Sequence, residues 1–196
     1  MNSTKTIYNE EYRTLIENYI NNLLEVIPHE RITLYNNEIV LTVKKDVLRL
    51  VMLFLNKNSN NLYSVLTDIA GVDTPGLVGQ GRFTVVYNLL STHYSNIIRV
   101  KVHTDEITSI DSISDIYMAA NWLEREVWDM YGVMFNNHPD LRRILTDYGF
   151  QGHPLRKDFP LTGFTEFRYD PIRATVIQEP LELAQVGRFF NTPRNW

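Results

Sequence analysis

The sequence predicts an α+β fold: a two-layer sandwich of helices on a mixed five-stranded sheet, followed by a long extended C-terminal arm. Three observations carry this expectation. Five short runs alternate apolar and polar residues with the period of a strand. Three other stretches repeat apolar residues at helical spacing. From Gly132 to Trp196 neither period persists, and proline, arginine and aromatic residues mix without a core pattern. Strands grouped together, with helices segregated around them, fit a two-layer domain better than a βαβ array.

Residues 9–27 open the chain as an amphipathic helix, with Tyr12, Leu15, Ile16, Tyr19, Ile20, Leu23 and Leu24 on one face and Pro28 beyond the end. Ile32–Leu34 and Ile39–Val43 flank Asn36–Asn37, a pair that tolerates positive φ, so they form a hairpin. Asp46–Leu55 is the second helix, with Val47, Leu50, Val51 and Phe54 inward. Val65–Val72 is a strand, and Gly71–Gly81 a glycine-bearing surface loop. Phe83–Leu90 and Ile97–Val102, separated by a short polar turn, pair antiparallel. The third helix starts at Ile116 and stops at Gly132, the residue suited to a left-handed cap. A short helix from Asp140 to Tyr148, capped by Asp140, lies within the arm. The division is therefore an α+β domain at 1–131 and an interaction arm at 132–196.

Composition narrows the function classes. Residues 1–131 hold 11 Lys/Arg against 16 Asp/Glu, and residues 132–196 hold 8 against 7, so no basic stripe recommends a nucleic-acid partner. No uninterrupted apolar run is long enough to span a bilayer. Met1–Arg13 contains Glu10 and Glu11 and no apolar core, unlike a signal or transit peptide. The cysteine count is zero, which removes disulfides, thiolate nucleophiles and four-cysteine zinc or iron–sulfur ligation.

The chemistry-bearing clusters read as structural. Gly76–Leu77–Val78–Gly79–Gln80–Gly81 precedes a strand and lacks a Lys–Ser/Thr pair, so it is a loop and not a phosphate cradle. Glu124, Glu126 and Asp129 lie close together on one helix beside Trp122. Without a Glu-x-x-His partner helix they suit ion pairing better than metal binding or acid–base work. The expected pairs are Arg125 with Asp129 at i, i+4, and Glu126 with Arg142 or Arg143. His138 and His153 each precede proline and could join Asp140 or Asp158 as metal ligands, but hydrogen bonding is the better reading. In His153–Pro154–Leu155–Arg156–Lys157–Asp158, Arg156 presents a planar fork for a partner carboxylate or for Glu126 and Asp129. No catalytic, cofactor-binding or metal-binding residue emerges. The arm reads as a segment ordered by lying on another surface.

Ala119–Ala120–Asn121–Trp122, Glu124–Arg125–Glu126–Val127–Trp128–Asp129–Met130–Tyr131–Gly132, Asn137–His138–Pro139–Asp140–Leu141–Arg142–Arg143–Ile144–Leu145 and Gly152–His153–Pro154–Leu155–Arg156–Lys157–Asp158–Phe159–Pro160–Leu161 together resemble one family signature. The family is the 30-kDa-type subunit of respiratory complex I, the proton-pumping NADH:ubiquinone oxidoreductase, called subunit 9 where mitochondrial genomes encode it. The resemblance covers nearly the whole chain and departs at Val186–Gly187, where relatives tend to carry an acidic and an aromatic residue. It implies a non-redox structural and assembly subunit of the peripheral arm, supporting electron transfer from NADH to ubiquinone. The chain itself would bind no cofactor; FMN and the iron–sulfur clusters would sit in other subunits. Its partners would be peripheral-arm subunits, chiefly the large quinone-site subunit and those carrying the iron–sulfur chain. Its place would be the matrix side of the mitochondrial inner membrane. Trp122, Glu124–Asp129, His138, Asp140, Arg142, Arg143 and His153–Asp158 carry over as interface or structural positions. Two alternatives stand beside it: the related subunit of a ferredoxin-using plastid-type complex or membrane-bound hydrogenase, and a free-standing binding module.

Overall fold

A computed structural model describes residues 18–23, 25–35, 38–75 and 81–183. Residues 18–23 and 25–26 are helical, the described end of the expected first helix. Residues 9–17 of that helix, the Asn36–Asn37 turn, positions 76–80 of the glycine loop and the divergent tail beyond Leu183 lie outside the described residues.

The five alternating runs become β1 (Arg31–Tyr35), β2 (Glu38–Val43), β3 (Val65–Asp73), β4 (Phe83–Ser91) and β5 (Asn96–Thr104). They form one mixed sheet in the order β1-β2-β5-β4-β3. Only β2 and β5 run parallel; the other three pairings are antiparallel. Register brings Leu41, Val100 and Tyr87 into line across the middle three strands, with Ile69 beyond them on β3. All four are buried, and they form the centre of the core. The opposite face carries Thr84, Asn88, Arg99 and Lys101. There Arg99 donates to Asn88 Oδ1 at 2.9 Å and to Glu38 Oε2 at 3.1 Å. One face packed and one face wet is what alternation along antiparallel strands produces.

The second helix, α1 (Leu48–Lys57), follows a 3-10 turn at Lys45–Val47. Its inward face differs from the expected one. Leu48, Val51, Met52 and Leu55 are buried, while Leu50 is 63% exposed. Leu48–Leu55 is apolar at every position but Arg49, so periodicity alone does not choose a face. Arg49 is outward in either phase, and its guanidinium pairs with Asp115 at 2.5 Å.

The third helix, α2 (Ala120–Tyr131), starts four residues later than Ile116. The preceding turns are pinned by Ile116 and Tyr117 N–H groups on the Ile113 carbonyl and by the Tyr117 hydroxyl on the Tyr63 carbonyl. Gly132 ends α2 at φ +80°, as expected. The chain then re-enters the core through Val133 and Phe135, so packing continues past the division expected after residue 131. β6 (Ile110–Asp111) and β7 (Phe135–Asn136) form a parallel bridge that ties the approach to α2 to its exit.

Beyond β7 the expected Asp140–Tyr148 helix is absent; residues 140–147 form loop and bends. The arm ends, within the described residues, in a hairpin that the sequence reading missed, β8 (Thr165–Asp170) against β9 (Thr175–Pro180). Its register sets Phe167, Tyr169 and Val176 on one face, all exposed, and Arg168 with Glu179 on the other.

The shifted phase of α1, which keeps Val51 inward as expected, is directly checkable by urea denaturation of the full chain. Met52→Ala is expected to cost about 2–5 kcal/mol as a cavity-forming core truncation. Leu50→Ser should change stability by no more than about 0.5 kcal/mol, as exposed substitutions do.

Candidate functional site

Most of the residues singled out from sequence gather around α2. An amphipathic helix normally turns its charges to water, yet Glu124, Arg125 and Asp129 are buried. Each must therefore find partners inside the protein.

Asp129 collects five donors. Its Oδ2 accepts the backbone N–H groups of Ile144, Leu145 and Thr146 at 3.1, 2.9 and 3.0 Å. Its Oδ1 accepts the Thr146 hydroxyl at 2.7 Å and Arg143 Nη1 at 3.0 Å. Burial alone would raise the carboxyl pKa, but the Thr146, Leu145 and Ile144 hydrogen bonds outweigh it and bring it to about 2. Arg125, expected on Asp129, instead donates to the carbonyls of Arg142 and Arg143 at 3.1 and 3.2 Å and stacks over Trp122. Arg143, expected on Glu126, takes the Asp129 pairing and also donates to Gly152 O at 2.9 Å. Arg142 pairs with exposed Asp140 at 2.8 Å. Glu126 faces outward with no hydrogen-bond or ionic partner among the described residues.

Glu124 meets the other side of the helix. It accepts Ile113 N–H at 2.9 Å and lies 2.6 Å from Ser112 Oγ. His138 Nδ1 accepts Asp140 N–H, so its Nε2 carries the proton and donates to Asn121 O at 3.1 Å, 3.8 Å from Glu124. With no paired cation, burial pushes the Glu124 carboxyl up to about 7 despite the Ile113 and Ser112 bonds.

The C-terminal end of α2 is closed by the His153–Asp158 segment. A helix leaves its last carbonyls without intrahelical partners. Here Gly132 N–H takes Trp128 O, His153 Nδ1 donates to Asp129 O at 2.9 Å, and Leu155 N–H takes Met130 O at 3.1 Å. Arg156 Nε donates to Tyr131 O at 2.6 Å. Burial pulls the His153 pKa down, so its ring serves as a neutral donor. Arg156 does not reach Glu126 or Asp129; its guanidinium lies over the Phe83 ring and 3.8 Å from Glu106. Pro154 is half-buried between His153 and Leu155. Beyond it, Lys157 N–H donates to Asp73 Oδ2 at 2.7 Å, and Arg82 grips Asp73 with two hydrogen bonds while pairing with Asp158 at 3.1 Å.

Arg125, Asp129, Arg143, His153 and Arg156 thus form an internal clamp holding the segment after β7 to α2, while Glu126 and the Arg142–Asp140 pair stay outside it. The residues missed were the receptors of that clamp: Ser112, Asp73, Arg82, Glu106 and Thr146. They lie far from their partners in sequence, and no local pattern marks them. Gly71 is another, since a Cβ there would lie 2.5 Å from the Tyr131 ring. The hydroxyls among these groups are engaged by carboxylates, Ser112 by Glu124 and Thr146 by Asp129, and the arrangement has the chemistry of a fastening.

Residues 41–165 match the family described as respiratory-chain NADH dehydrogenase, 30 Kd subunit. The chain is 52% identical over 159 residues to an NADH-quinone oxidoreductase subunit of Paramagnetospirillum magneticum, covering 81% of this chain and 79% of that protein. It is 53% identical over 151 residues to NADH dehydrogenase [ubiquinone] iron-sulfur protein 3 of Arabidopsis thaliana, covering 77% and 78%. Among solved structures it resembles a chain of the membrane-bound sulfane sulfur reductase, an archaeal respiratory membrane complex. That likeness has a TM-score of 0.62 at 25% identity and covers 74% of this chain and 85% of the other.

The two buried carboxylates give opposite pH dependences. Between an ordinary 4.5 and about 7, folded Glu124 keeps a proton that the unfolded chain has released. Stability therefore falls as pH rises through that window, by up to about 3 kcal/mol. Glu124→Gln is expected to flatten that slope in urea titrations between pH 4.5 and 7.5. Asp129 contributes stability above 3.8 that is lost as pH falls through about 2. Gly132→Ala should cost at least about 1–2 kcal/mol from the left-handed backbone. Its Cβ would also press on Arg156 and, at 2.7 Å, on the His153 ring. Limited proteolysis should then cut faster within residues 150–160.

Proposed function

Because this chain belongs to the 30-kDa subunit family of respiratory-chain NADH dehydrogenase, we propose that it is a non-redox structural and assembly subunit of the peripheral arm of a proton-translocating NADH:ubiquinone oxidoreductase. Identity of about one half to subunits of NADH-dependent quinone reductases supports this. The more distant likeness to the sulfane sulfur reductase is to a chain of another respiratory membrane assembly.

The observation that carries an assembly role is the β8–β9 hairpin. An isolated two-stranded hairpin is marginal in water. This one leaves Phe167, Tyr169 and Val176 exposed on a single face, with Phe164 and Leu161 exposed beside them. A second protein surface would bury that face. Residues 132–158 fasten the base of the arm to α2, and residues 159–183 present the contact. The partners we propose are the large quinone-site subunit and the subunits carrying the iron–sulfur chain.

Iron–sulfur appears in the name of the plant relatives, but a chain with zero cysteines has no thiolate to hold a four-cysteine cluster. The clusters are therefore assigned to neighbouring subunits; on the subunit reading FMN is assigned there too, with no catalytic residue in this chain. Among the described residues no helix is long and apolar enough to cross a membrane. We assign it a peripheral position on the matrix side of the mitochondrial inner membrane, which fits that and the likeness to a plant NADH dehydrogenase [ubiquinone] protein.

Affinity purification of the tagged chain from native membranes tests the reading. The expected product is a complex with NADH:quinone reductase activity, flavin and iron–sulfur absorbance, while the chain expressed alone has neither chromophore. Recovery of the chain in a complex without that activity, or stoichiometric iron or flavin on the isolated chain, would overturn it.

A further inference from the structure

β3 is the outer strand of the sheet, and among the described residues it pairs with β4 alone. Its nine residues leave a row of N–H and C=O groups on the outer side. Proteins usually protect such an edge by keeping it short, charging it or covering it, because it is a template for another strand. Here the protection is slight: one register irregularity between Leu66 and Asp68, and two aspartates, Asp68 and Asp73, the second of them held by Arg82. Val65 and Val72 are 39% and 42% exposed.

A cleft of about 160 Å³ runs between this strand and α2, with Ile69, Ala70, Val127 and Met130 in its lining and Asp68 and Glu126 beside them. Neither carboxylate has a hydrogen-bond or ionic partner among the described residues. The other acids near α2 are held: Asp73 and Glu106 by Arg82, and Asp129 by Arg143. Glu126 flanks the cleft, and Asp68, in register with Asn88, lies on the other face of the sheet; two unneutralised carboxylates on either side of an unpaired strand match one kind of guest. It is an extended segment that adds main-chain hydrogen bonds, inserts an apolar side chain and offers basic side chains on its two faces.

We propose that β3 receives a sixth strand from a partner subunit, with an apolar side chain in the cleft and basic side chains on its two faces, one toward Glu126 and one toward Asp68. The proposal rests on the subunit reading above, and it concerns a surface separate from the β8–β9 hairpin. Charge complementarity argues against pairing with the β3 edge of a second copy, which carries Asp68 and Asp73 and no basic residue.

Hydrogen–deuterium exchange of residues 65–73 in the free full-length chain and in the isolated complex tests it. Outer amides of β3 should exchange at least ten-fold more slowly in the complex. Asp68→Lys/Glu126→Lys should lower incorporation at least ten-fold without shifting the thermal midpoint of the free chain. If the double variant does not fold, Glu126→Lys on the water-facing side of α2 carries the same expectation. Equal exchange in both states, with the chain present in the complex, overturns the β3 proposal and leaves the subunit reading standing. Protection already present in the free chain overturns it in favour of the chain's own tail if truncation after residue 183 abolishes it. Protection that appears only with a concentration-dependent dimer mass overturns it in favour of a second copy. A chain that never enters the complex overturns both readings.

Discussion

The path of the chain just beyond β7 depends on the carboxylate of Asp129. Irregular chain has no ladder in which to satisfy its amides, so a buried loop needs partners from outside itself. Asp129 supplies them to three consecutive N–H groups, at Ile144, Leu145 and Thr146. Arg125, one turn earlier on the same helix face, takes the carbonyls of Arg142 and Arg143. Those two carbonyls are the ones a helix would offer to the amides of Thr146 and Asp147. Acceptors and donors of the first helical turn are both claimed by α2, and the helix expected at 140–148 cannot form.

Asp129 and Glu124 are five residues apart on one helix, both shielded from water, and their acidities move in opposite directions. The difference is in the donors. Asp129 has three amides, a hydroxyl and a guanidinium; Glu124 has one amide, one hydroxyl and a neutral imidazole 3.8 Å away. A charge is stabilised at the first and resisted at the second. The first therefore acts as an ionic fastening for the 143–146 loop, and the second as a near-neutral hydrogen-bonding group for the Ser112–Ile113 turn.

The sheet was legible because period-two alternation is a local signal, written into β4 and β5 residue by residue. The inward face of α1 was not, because seven of the eight residues from Leu48 to Leu55 are apolar. The choice fell to tertiary packing, which takes Leu48, Met52 and Leu55 into the core and leaves Leu50 at the surface. Helical spacing brought Glu124, Arg125, Glu126 and Asp129 to notice as a group that pairs. Spacing could not say with whom: the i, i+4 pairing of Arg125 with Asp129 gave way to contacts 14 to 18 residues away. The hairpin at 165–180 was hidden by Pro171 and by the charges alternating with Phe167 and Tyr169, which made the run look like arm. The alternation was the signal, with one face left for a partner.

A clamp made this way changes what the arm can do. If residues 138–158 were held only by exposed ion pairs, each worth at most about 1 kcal/mol, the arm would sample many positions before meeting a partner. Here the hold is made of groups with little or no exposure: Asp129, Arg143 and the carbonyl end of α2 on one side, Asp73 and Arg82 on the other. Arg156 does both jobs at once, capping Tyr131 O while its guanidinium covers Phe83 at the end of β4. The entropy of ordering the base of the arm is thus lost on folding and not at assembly. The surfaces that remain open, β8–β9 and the β3 edge, are consequently presented by a frame whose geometry is already set.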